Sequence, residues 1–382
     1  MLYRTLGRTG PEVSILGFGC MRLPVLGERH DRIDVPAATV MLHEAIEAGV
    51  NYVDTAYPYH GVSHTEPGMS EVFVGEALKG GYRDRVLLAT KLPSWLVDTR
   101  EDMDRFLNSQ LARLQTDHID CYLLHGLNAG TWQSLQYLGV LEFLDSALAD
   151  GRIRWAGFSF HDEADVFPPI VDAYDWTFCQ IQYNYMDRVY QAGEAGLRYA
   201  AARGLGVIVM EPLRGGRLAQ RIPATVQEVW SRAAVRRLPA AWGLRFVWDD
   251  PDVTMLLSGM SALDQVRENL ATADDAHPGS LTPSELASIG EAAQAYRARI
   301  VADCTECGYC QPCPSGVDIP RVLAHVNDAS FYDDVNGIRE LYHMRAFGKA
   351  SDCTECGECE ELCPQGLPIQ ELMKDAVRLF EE

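Results

Sequence analysis

Two tight groups of cysteines near the C-terminus have the spacing that predicts chemistry most directly. The first group is CTECGYCQPCPSG, with Cys304, Cys307, Cys310 and Cys313, and the second is CTECGECEELCPQG, with Cys353, Cys356, Cys359 and Cys363. In a reducing compartment, clustered thiols are metal ligands or redox centres before they are disulfides. Four thiolates suit iron–sulfur clusters or zinc, but repeated C-x-x-C spacing followed by proline is rare in zinc sites. The spacing therefore predicts two [4Fe–4S] clusters.

The cysteine pattern resembles that of the two-cluster ferredoxins. The second group follows C-x2-C-x2-C-x3-C-P, and the first has one residue fewer before its last cysteine. In two-cluster ferredoxins the fourth cysteine of each group ligates the other cluster. The resemblance therefore implies one cluster on Cys304, Cys307, Cys310 and Cys363, and another on Cys353, Cys356, Cys359 and Cys313. The segment between the groups has helical periodicity, which is similar to the helical type of such domains.

A second set of reactive side chains lies far from the cysteines, where short apolar runs end. Its members are Asp54, Lys91, His125, Ser159, Gln180 and Glu211. Burying an aspartate, a lysine and a histidine is costly unless they satisfy one another. The set therefore indicates either a structural ion-pair network or a shared functional site.

Eight apolar runs carry these residues, and longer amphipathic segments alternate with them. The runs are 13–19, 51–56, 86–92, 119–126, 153–160, 178–184, 205–212 and 253–260. They are apolar on both faces, as buried parallel strands require. This alternation predicts an α/β fold with a (β/α)8 TIM barrel, in which the carboxyl ends of the strands share one mouth. A doubly wound sheet is the alternative, but Gly17 and Gly19 lack the third glycine of its phosphate-binding turn.

Three segments resemble the signatures of the aldo-keto reductases. They are DTAYPYHG (54–61), LATKLP (88–93) and YLLHG (122–126). The opening segment 3–19 is similar to the hairpin and first strand of that family, and the resemblance extends over roughly residues 3–275. It implies a barrel enzyme that reduces carbonyl compounds with a nicotinamide cofactor.

The same resemblance implies four catalytic residues. Tyr59 would be the general acid, and Lys91 would lower the pKa of its phenol. Asp54 would orient Lys91, and His125 would hold the carbonyl oxygen. A free phenol titrates near about 10, so a close ammonium would bring it nearer the neutral range. Tyr57 is an alternative acid, although its spacing from Asp54 differs from the family motif.

Cofactor contacts are implied at further positions. Ser159 and Gln180 match positions that hold the nicotinamide carboxamide, with the backbone of Gly19, Cys20 and Met21 beneath it. The remaining positions are Leu213, Gly215 and Arg217 for the pyrophosphate, and Gln265 and Asn269 for the adenine.

The sequence departs from the family pattern at two cofactor positions. The aromatic residue that usually stacks on the nicotinamide aligns with Met210 and Glu211. The basic residue for the 2′-phosphate aligns with Ser261, and Arg267 is either its substitute or a surface residue. The sequence therefore leaves the choice between NADPH and NADH open.

The length of 382 residues predicts one large domain and one small one. We expect the barrel over 1–280, a connecting helix over 281–300 and the ferredoxin-type domain over 301–382. No apolar run is long enough to span a membrane, and the N-terminus lacks the apolar core of a signal peptide. These features predict a cytoplasmic protein.

Charge restricts the classes of partner. A net charge of −21 argues against nucleic acid and against an anionic membrane, because phosphates would be repelled. Residues 301–382 hold 16 acidic against 6 basic residues, which indicates a solvated acidic face or a surface for a basic electron-transfer protein.

Pairing a nicotinamide enzyme with clusters raises a question of electron count. Nicotinamides transfer two electrons as hydride and each cluster transfers one, and no flavin signature joins them. The leading hypothesis is an NAD(P)-dependent oxidoreductase that interconverts a small carbonyl compound and its alcohol, with two accessory clusters. The alternatives are a cluster-wired enzyme that exchanges electrons with a ferredoxin-like partner, and a non-catalytic redox sensor.

Overall fold

We describe the fold from a computed structural model, which places residues 1–27, 29, 31–63, 65–220, 222–304, 310–344, 347–363 and 365–382. By their contacts these residues form two compact units. The first unit is Met1–Gly215 with Ala240–Thr282, and the second is Gly216–Pro239 with Pro283–Glu382.

The first unit is built on parallel strands that close into a barrel, behind a short antiparallel hairpin. The hairpin pairs β1 (Tyr3–Thr5) with β2 (Glu12–Ser14). The barrel strands, in their order around the barrel, are β3 (Leu16–Gly19), β4 (Tyr52–Asp54), β5 (Leu87–Leu92), β6 (Ile119–Leu127), β7 (Ile153–Phe160), β8 (Phe178–Gln182), β9 (Gly206–Met210) and β10 (Met255–Ser258). The predicted (β/α)8 barrel is therefore confirmed.

Helices follow most of the strands, and further helices build the second unit. In chain order they are α1 (Val35–Glu47), α2 (Ser70–Ala77), α3 (Arg100–Leu114), α4 (Ala129–Tyr137), α5 (Val140–Ala149), α6 (Phe167–Val171), α7 (Gly193–Arg203), α8 (Ala224–Arg232), α9 (Pro239–Trp248), α10 (Leu263–Ala273), α11 (Pro283–Arg297), α12 (Ile319–Tyr332), α13 (Val335–Met344), α14 (Glu358–Glu361) and α15 (Ile369–Phe380).

Helix starts follow from side-chain caps in the sequence. The Asp34 carboxylate accepts a hydrogen bond from the Ala37 backbone N–H at 3.2 Å and caps α1. At α3, Asp102 accepts from the Thr99 backbone N–H at 2.8 Å as part of a capping box. Each cap satisfies donors that the first helical turn leaves free, so it fixes the residue at which the helix begins.

One predicted strand divides in the structure. The run over 13–19 contributes its first residues to the hairpin strand β2 and its last to the barrel strand β3. Leu6 and Val13 of the hairpin region are fully buried in one cluster with Tyr52, Phe178 and Ile208. The hairpin therefore packs against the barrel strands, which explains why the whole run is apolar.

The second unit is a helical assembly around its own apolar core. Val322, Leu323, Val326 and Met373 are buried in this core, and several of the cysteines pack against it. Contacts also group 216–239, which carry α8, with this unit, whereas the sequence-based division follows linear order. Among the described residues, no helix has both the length and the apolar composition needed to cross a membrane.

Candidate active site

Asp54 and Lys91 form a buried ion pair at the carboxyl ends of neighbouring strands. Asp54 ends β4 and is 2% exposed, and Lys91 lies in β5 and is 0% exposed. The Lys91 ammonium donates to the two Asp54 carboxylate oxygens at 2.8 and 2.7 Å and to the Thr55 carbonyl at 2.9 Å. Burial alone lowers the pKa of Lys91, but the Asp54 carboxylate and the Tyr59 phenol outweigh it and raise that pKa. Lys91 is therefore a fixed positive charge at neutral pH.

Tyr59 lies in the loop that follows β4, within reach of this charge. Its hydroxyl is 3.3 Å from the Lys91 Nζ, and its side chain is half-buried. Burial raises the pKa of the Tyr59 phenol, and the Lys91 ammonium opposes this without reversing it. The net direction differs from the sequence expectation of a lowered pKa, because removal of water outweighs one nearby cation. At neutral pH the phenol is protonated and can donate.

His125 faces Tyr59 from the next strand. The register of β6 against β7 shifts between Leu124 and Leu127, and such irregularities re-aim side chains. The rings of His125 and Tyr59 stand edge to face with centroids 6.1 Å apart. The Trp95 ring lies 5.1 Å from His125 on another side. The structure therefore brings the four residues implied by the family resemblance to one mouth of the barrel.

Tyr57, the alternative acid, points its ring into different surroundings. It packs edge-on against Phe106 at 5.4 Å, and the Arg113 guanidinium lies 5.2 Å from its ring centroid. Phe106 and Arg113 belong to α3, outside the barrel. Tyr59 is therefore the tyrosine that contacts Lys91.

The start of α2 holds the backbone around this site, which sequence reasoning missed. The Ser70 backbone N–H donates to the Tyr59 carbonyl at 3.2 Å. The Ser70 hydroxyl lies 2.8 Å from that of Thr55 and donates to the Cys20 carbonyl at 3.2 Å. Ser70 thus ties the loop after β4, which holds Thr55 and Tyr59, to the segment after β3, which holds Cys20. The available signal was a small polar residue at the first position of a helix.

The next residue, Glu71, supports β5 from behind. Its fully buried carboxylate accepts from the Thr90 hydroxyl at 2.6 Å, from Gln110 Nε2 at 2.8 Å and from Arg113 Nε at 2.7 Å. Gln110 also donates to the Lys91 carbonyl at 2.9 Å. A buried network that is satisfied in this way fixes its members rigidly. The backbone of Lys91 is therefore held by α2 and α3.

Gly68 sets the distance between α2 and the Tyr59 loop, and we expect Gly68→Ala to lower kcat by at least about tenfold. A Cβ at this position would lie 1.9 Å from the Tyr59 carbonyl oxygen, so the loop must move. The matched control is Gly290→Ala, because a Cβ there meets nothing within 4 Å. Steady-state kinetics and thermal unfolding of both variants check the prediction, and unchanged kinetics for Gly68→Ala would contradict it.

Ser159 and Gln180 lie side by side where β7 and β8 end, and both are buried. The Ser159 hydroxyl oxygen accepts from the Gly126 backbone N–H at 2.7 Å, and Gln180 Nε2 lies 3.4 Å from the Met210 sulfur. Among the residues that the structure describes, the buried Gln180 Oε1 has no hydrogen-bond partner. An acceptor of this kind requires a donor. These residues therefore fit the carboxamide of a nicotinamide.

The remaining nicotinamide positions follow β3. Gly19 ends the strand, Cys20 is buried and Met21 is exposed. The Cys20 carbonyl is held by Ser70, as described above. Ser70 therefore fixes the backbone of this segment, which suits a surface on which the nicotinamide ring could lie.

At the predicted adenine positions, Asn269 is buried and donates to the Ser258 hydroxyl at 3.0 Å. Gln265 accepts from the Ser261 backbone N–H at 2.9 Å. Arg267, which could have replaced the missing basic residue, forms a two-pronged ion pair with Glu44 at 2.6 and 3.0 Å. Arg267 is therefore engaged by α1 in this structure.

The predicted pyrophosphate residues fall in different units. Leu213 and Gly215 belong to the first unit, and Gly215 adopts a left-handed backbone with φ of 66°. Arg217 belongs to the second unit, where its guanidinium pairs with Asp328 at 2.6 Å and lies 5.0 Å from the Tyr332 ring centroid. Arg217 therefore has an anionic partner within its own unit.

Several of the described cysteines of the second unit pack against its core. One cavity is lined by Cys313, Cys353, Cys356 and Cys359, which the ferredoxin resemblance assigns to a single cluster, and also by Cys310. Cys304 and Cys363 pack against the adjoining core, and Cys307 lies outside the described residues. The lining joins two cysteines of the first group, Cys310 and Cys313, to three of the second. Because Cys313 lies with the second group, this set of thiols fits the exchanged ligation of a [4Fe–4S] cluster.

Within the described ranges, no group of three or more His, Cys, Asp or Glu side chains stands close enough to hold a metal ion. Burial, with neighbouring Cys353 and Glu360, raises the pKa of Cys359 to about 11, so its proton must leave when iron binds. Metal ligation of this kind is coupled to local folding.

Removal of Cys313 and removal of Cys356 should destroy the same cluster, although the two residues belong to different sequence groups. We expect each Cys→Ala variant to retain about half of the iron and sulfide, with the EPR signal of the other cluster. A double variant should lose no more than either single one. A double variant that loses all iron would contradict the assignment.

Comparisons with known proteins agree with this geometry. The aldo/keto reductase family profile matches residues 15–292, and a 4Fe-4S dicluster domain profile matches residues 303–367. In its holo form, the aldo-keto reductase AKR11C1 from Bacillus halodurans superposes with a TM-score of 0.63 at 27% identity, over 77% of this chain and 97% of that one.

Two relatives with named activities match this chain at similar sequence identity and over a similar share of its length. L-galactose dehydrogenase of Arabidopsis thaliana is 26% identical over 289 residues, which cover 70% of this chain and 86% of that protein. The 6-dehydroglucose reductase of Novosphingobium aromaticivorans is 28% identical over 313 residues, which cover 78% and 91%. Because the first profile spans most of the sequence around the site just described, the chain belongs to the aldo/keto reductase family, as an oxidoreductase with a C-terminal 4Fe–4S dicluster domain.

Proposed function

We propose that this oxidoreductase interconverts a small carbonyl compound and its alcohol with NAD(P)H, and that its two [4Fe–4S] clusters are accessory. The observation that carries the proposal is the contact between the Tyr59 hydroxyl and the Lys91 Nζ, which are 3.3 Å apart. Lys91 is itself held by the buried Asp54 carboxylate. An ion-pair network that served only structure would not need a half-buried phenol at its exposed end.

Each residue of the site then has one task. A bound nicotinamide would supply the hydride, held by Ser159 and Gln180. Tyr59 donates its proton to the carbonyl oxygen, and the Lys91 ammonium stabilises the negative charge that this leaves on the phenol. His125 holds the carbonyl oxygen near Tyr59, while Asp54 fixes Lys91.

The two directions of the reaction should respond oppositely to pH. The raised pKa of Tyr59 keeps the phenol protonated at neutral pH, which suits carbonyl reduction. Alcohol oxidation needs the phenolate as base, so its kcat should rise about tenfold per pH unit from pH 7 to 9. Reduction should stay flat over the same range. Parallel pH profiles of the two directions check this, and an oxidation rate that falls with pH would contradict it.

The substrate class is inferred from the names of two relatives and from an aromatic side chain at the mouth of the barrel. Two relatives carry the names L-galactose dehydrogenase and 6-dehydroglucose reductase. The Trp95 ring is partly exposed beside His125, and an aromatic face of this kind can pack against the C–H face of a sugar. We therefore place sugar aldehydes and ketones first in a substrate panel, before simple aldehydes.

The assay uses anaerobically purified protein with reconstituted clusters. Oxidation of NADH and NADPH is followed at 340 nm with the panel of sugars, aldehydes and ketones. We expect turnover with at least one member and with both cofactors, because Arg267 is engaged by Glu44 and Ser261 carries no charge for a 2′-phosphate. Lack of turnover across the panel would overturn the proposal and favour a redox sensor.

A cluster-wired enzyme is the second candidate, favoured by the acidic C-terminal region with its 16 acidic and 6 basic residues. Such a surface suits a basic electron-transfer protein. In this candidate, dithionite-reduced clusters would be reoxidised by substrate at the rate of turnover. We expect instead that the reduced clusters remain reduced when the carbonyl substrate is added without NAD(P)H.

A further inference from the structure

His161 lies at the mouth of the barrel, directly after β7 and two residues beyond Ser159. Its backbone N–H donates to the Leu127 carbonyl at 2.9 Å, and the Ser159 hydroxyl accepts from the Gly126 N–H at 2.7 Å. These two bonds hold the end of β7 against the segment that begins with His125. His161 is therefore a titratable side chain beside the catalytic residues, although neither hydride transfer nor proton transfer requires it.

Gly126 leaves open space between His125 and His161. Its backbone is left-handed, with φ of 63°, a conformation that glycine adopts readily. Beyond its chain neighbours, a Cβ added to Gly126 would meet one atom within 4 Å among the described residues, the His161 Cδ2 at 3.8 Å. His161 itself is exposed. The imidazole therefore borders space beside His125 that is open to a ligand.

Two polar side chains act on the His161 ring from other loops of the mouth. Gln191, after β8, hydrogen-bonds the ring, and the Glu211 carboxylate, after β9, acts on it through space. Partial removal of water lowers the pKa of His161 although both partners oppose this, so the ring is neutral at neutral pH. A neutral imidazole has one donor and one acceptor nitrogen, and Gln191 engages one of them. The other nitrogen suits a hydroxyl group, which both donates and accepts.

The charges on this side of the mouth offset one another. Burial and, to a smaller extent, the Glu211 carboxylate raise the pKa of the Tyr59 phenol, so Glu211 acts on both Tyr59 and His161. The Arg22 guanidinium pairs with Glu211 at 3.1 Å. A neutral ring beside a paired carboxylate is an environment for an uncharged polar ligand rather than for an anion.

We propose that His161 is a specificity-determining residue, which hydrogen-bonds a hydroxyl group of an uncharged polyhydroxy carbonyl substrate. This inference rests on the proposed function and deepens it by naming the substrate class. The hydroxyl would occupy the open space beside Gly126, while the reacting carbonyl lies between Tyr59 and His125. The Trp95 ring, on another side of His125, would pack against the carbon skeleton.

The physical basis is selection against substrates that lack the hydroxyl or carry a charge. A site that hydrogen-bonds a substrate hydroxyl disfavours the analogue without it, because the polar group of the site is then left without a partner. A neutral imidazole gives an anionic group no compensating charge, and the Glu211 carboxylate repels it. We therefore expect neutral sugar aldehydes or ketones to be preferred over sugar acids and sugar phosphates.

The test compares a neutral hydroxylated aldehyde from the sugar panel with the unhydroxylated aldehyde of the same chain length. His161→Leu should lower kcat/KM about tenfold for the hydroxylated substrate, mainly through KM, and less than about twofold for the other. His161→Gln keeps a hydrogen-bonding side chain and should stay within about threefold of wild type for both. His277→Leu is the matched control, since His277 is exposed after α10, and it should change neither value. The Kd of NADH, from fluorescence titration, should be unchanged in all three variants.

The outcomes separate this inference from the proposed function. Equal losses for the two aldehydes in His161→Leu, or a raised Kd of NADH, would overturn the inference, because the side chain would then support the loops or the cofactor. A wild-type kcat/KM that is higher for a sugar acid or sugar phosphate than for the neutral sugar would overturn the uncharged class. Neither result would affect the proposed function while the wild type reduces a carbonyl. Lack of turnover across the whole panel would overturn both.

Discussion

Tyr59→Phe lowers kcat for carbonyl reduction by about 10²- to 10⁴-fold and leaves the Kd for NAD(P)H within about twofold, which is the range expected for loss of a general acid. The variant removes one oxygen, the atom 3.3 Å from the Lys91 Nζ. The ring and its contact with His125 stay, so the shape of the mouth should be kept. Steady-state kinetics with the best carbonyl of the panel, together with a cofactor titration, measure the two quantities.

Tyr57→Phe is the matched control for that variant. Tyr57 lies two residues earlier, but its ring packs on Phe106 and Arg113. Removal of its hydroxyl should change kcat by less than about threefold, because the group makes no contact with Lys91 in this structure. Equal losses in the two variants, or full turnover by Tyr59→Phe, would show that the acid has been assigned wrongly.

Lys91→Met should abolish turnover and also lower the free energy of unfolding of the barrel by about 3–5 kcal/mol, the usual cost of breaking a buried ion pair. The substitution leaves the Asp54 carboxylate buried without its cation, and Asp54 is 2% exposed. Urea unfolding monitored by tryptophan fluorescence gives the change in stability.

The double variant Asp54→Asn/Lys91→Met separates stability from catalysis. It removes both charges, so most of the lost stability should return, while turnover should remain absent. A double variant as unstable as the single one would show that packing around Lys91, rather than the unpaired carboxylate, causes the loss. Recovered turnover would exclude Lys91 from the chemistry.

The barrel strands and the reactive side chains at their carboxyl ends could be predicted, because the local sequence pattern encodes both. Each predicted apolar run contains a barrel strand, although the run over 13–19 also supplies part of the hairpin strand β2. Asp54 and Lys91 lie near strand ends, as periodicity indicated. The contact of Tyr59 with Lys91 could not be predicted from periodicity, because Tyr59 lies in the loop after β4. Only the family resemblance implied it.

Features that depend on long-range contacts could not be read in this way. Ser70 and Glu71 support the site through partners up to 50 residues away, and no spacing rule links them to Cys20 or Gln110. The grouping of 216–239 with the C-terminal unit is likewise a matter of tertiary contacts. The raised pKa of Tyr59 depends on burial, which sequence alone does not quantify.

The central claim is that hydrogen moves as hydride within the barrel and that the clusters stand outside this step. The most direct measurement is the origin of the carbon-bound hydrogen in the alcohol product. The reduction is run with NAD(P)H deuterated at C4 on the transferred face, in ordinary water, and the product is analysed by NMR. We expect one deuterium at the new carbinol carbon, and none there when unlabelled cofactor is used in D2O. Deuterium at that carbon from D2O would contradict hydride transfer from the nicotinamide, because it would mean that electrons arrive singly and the proton comes from solvent.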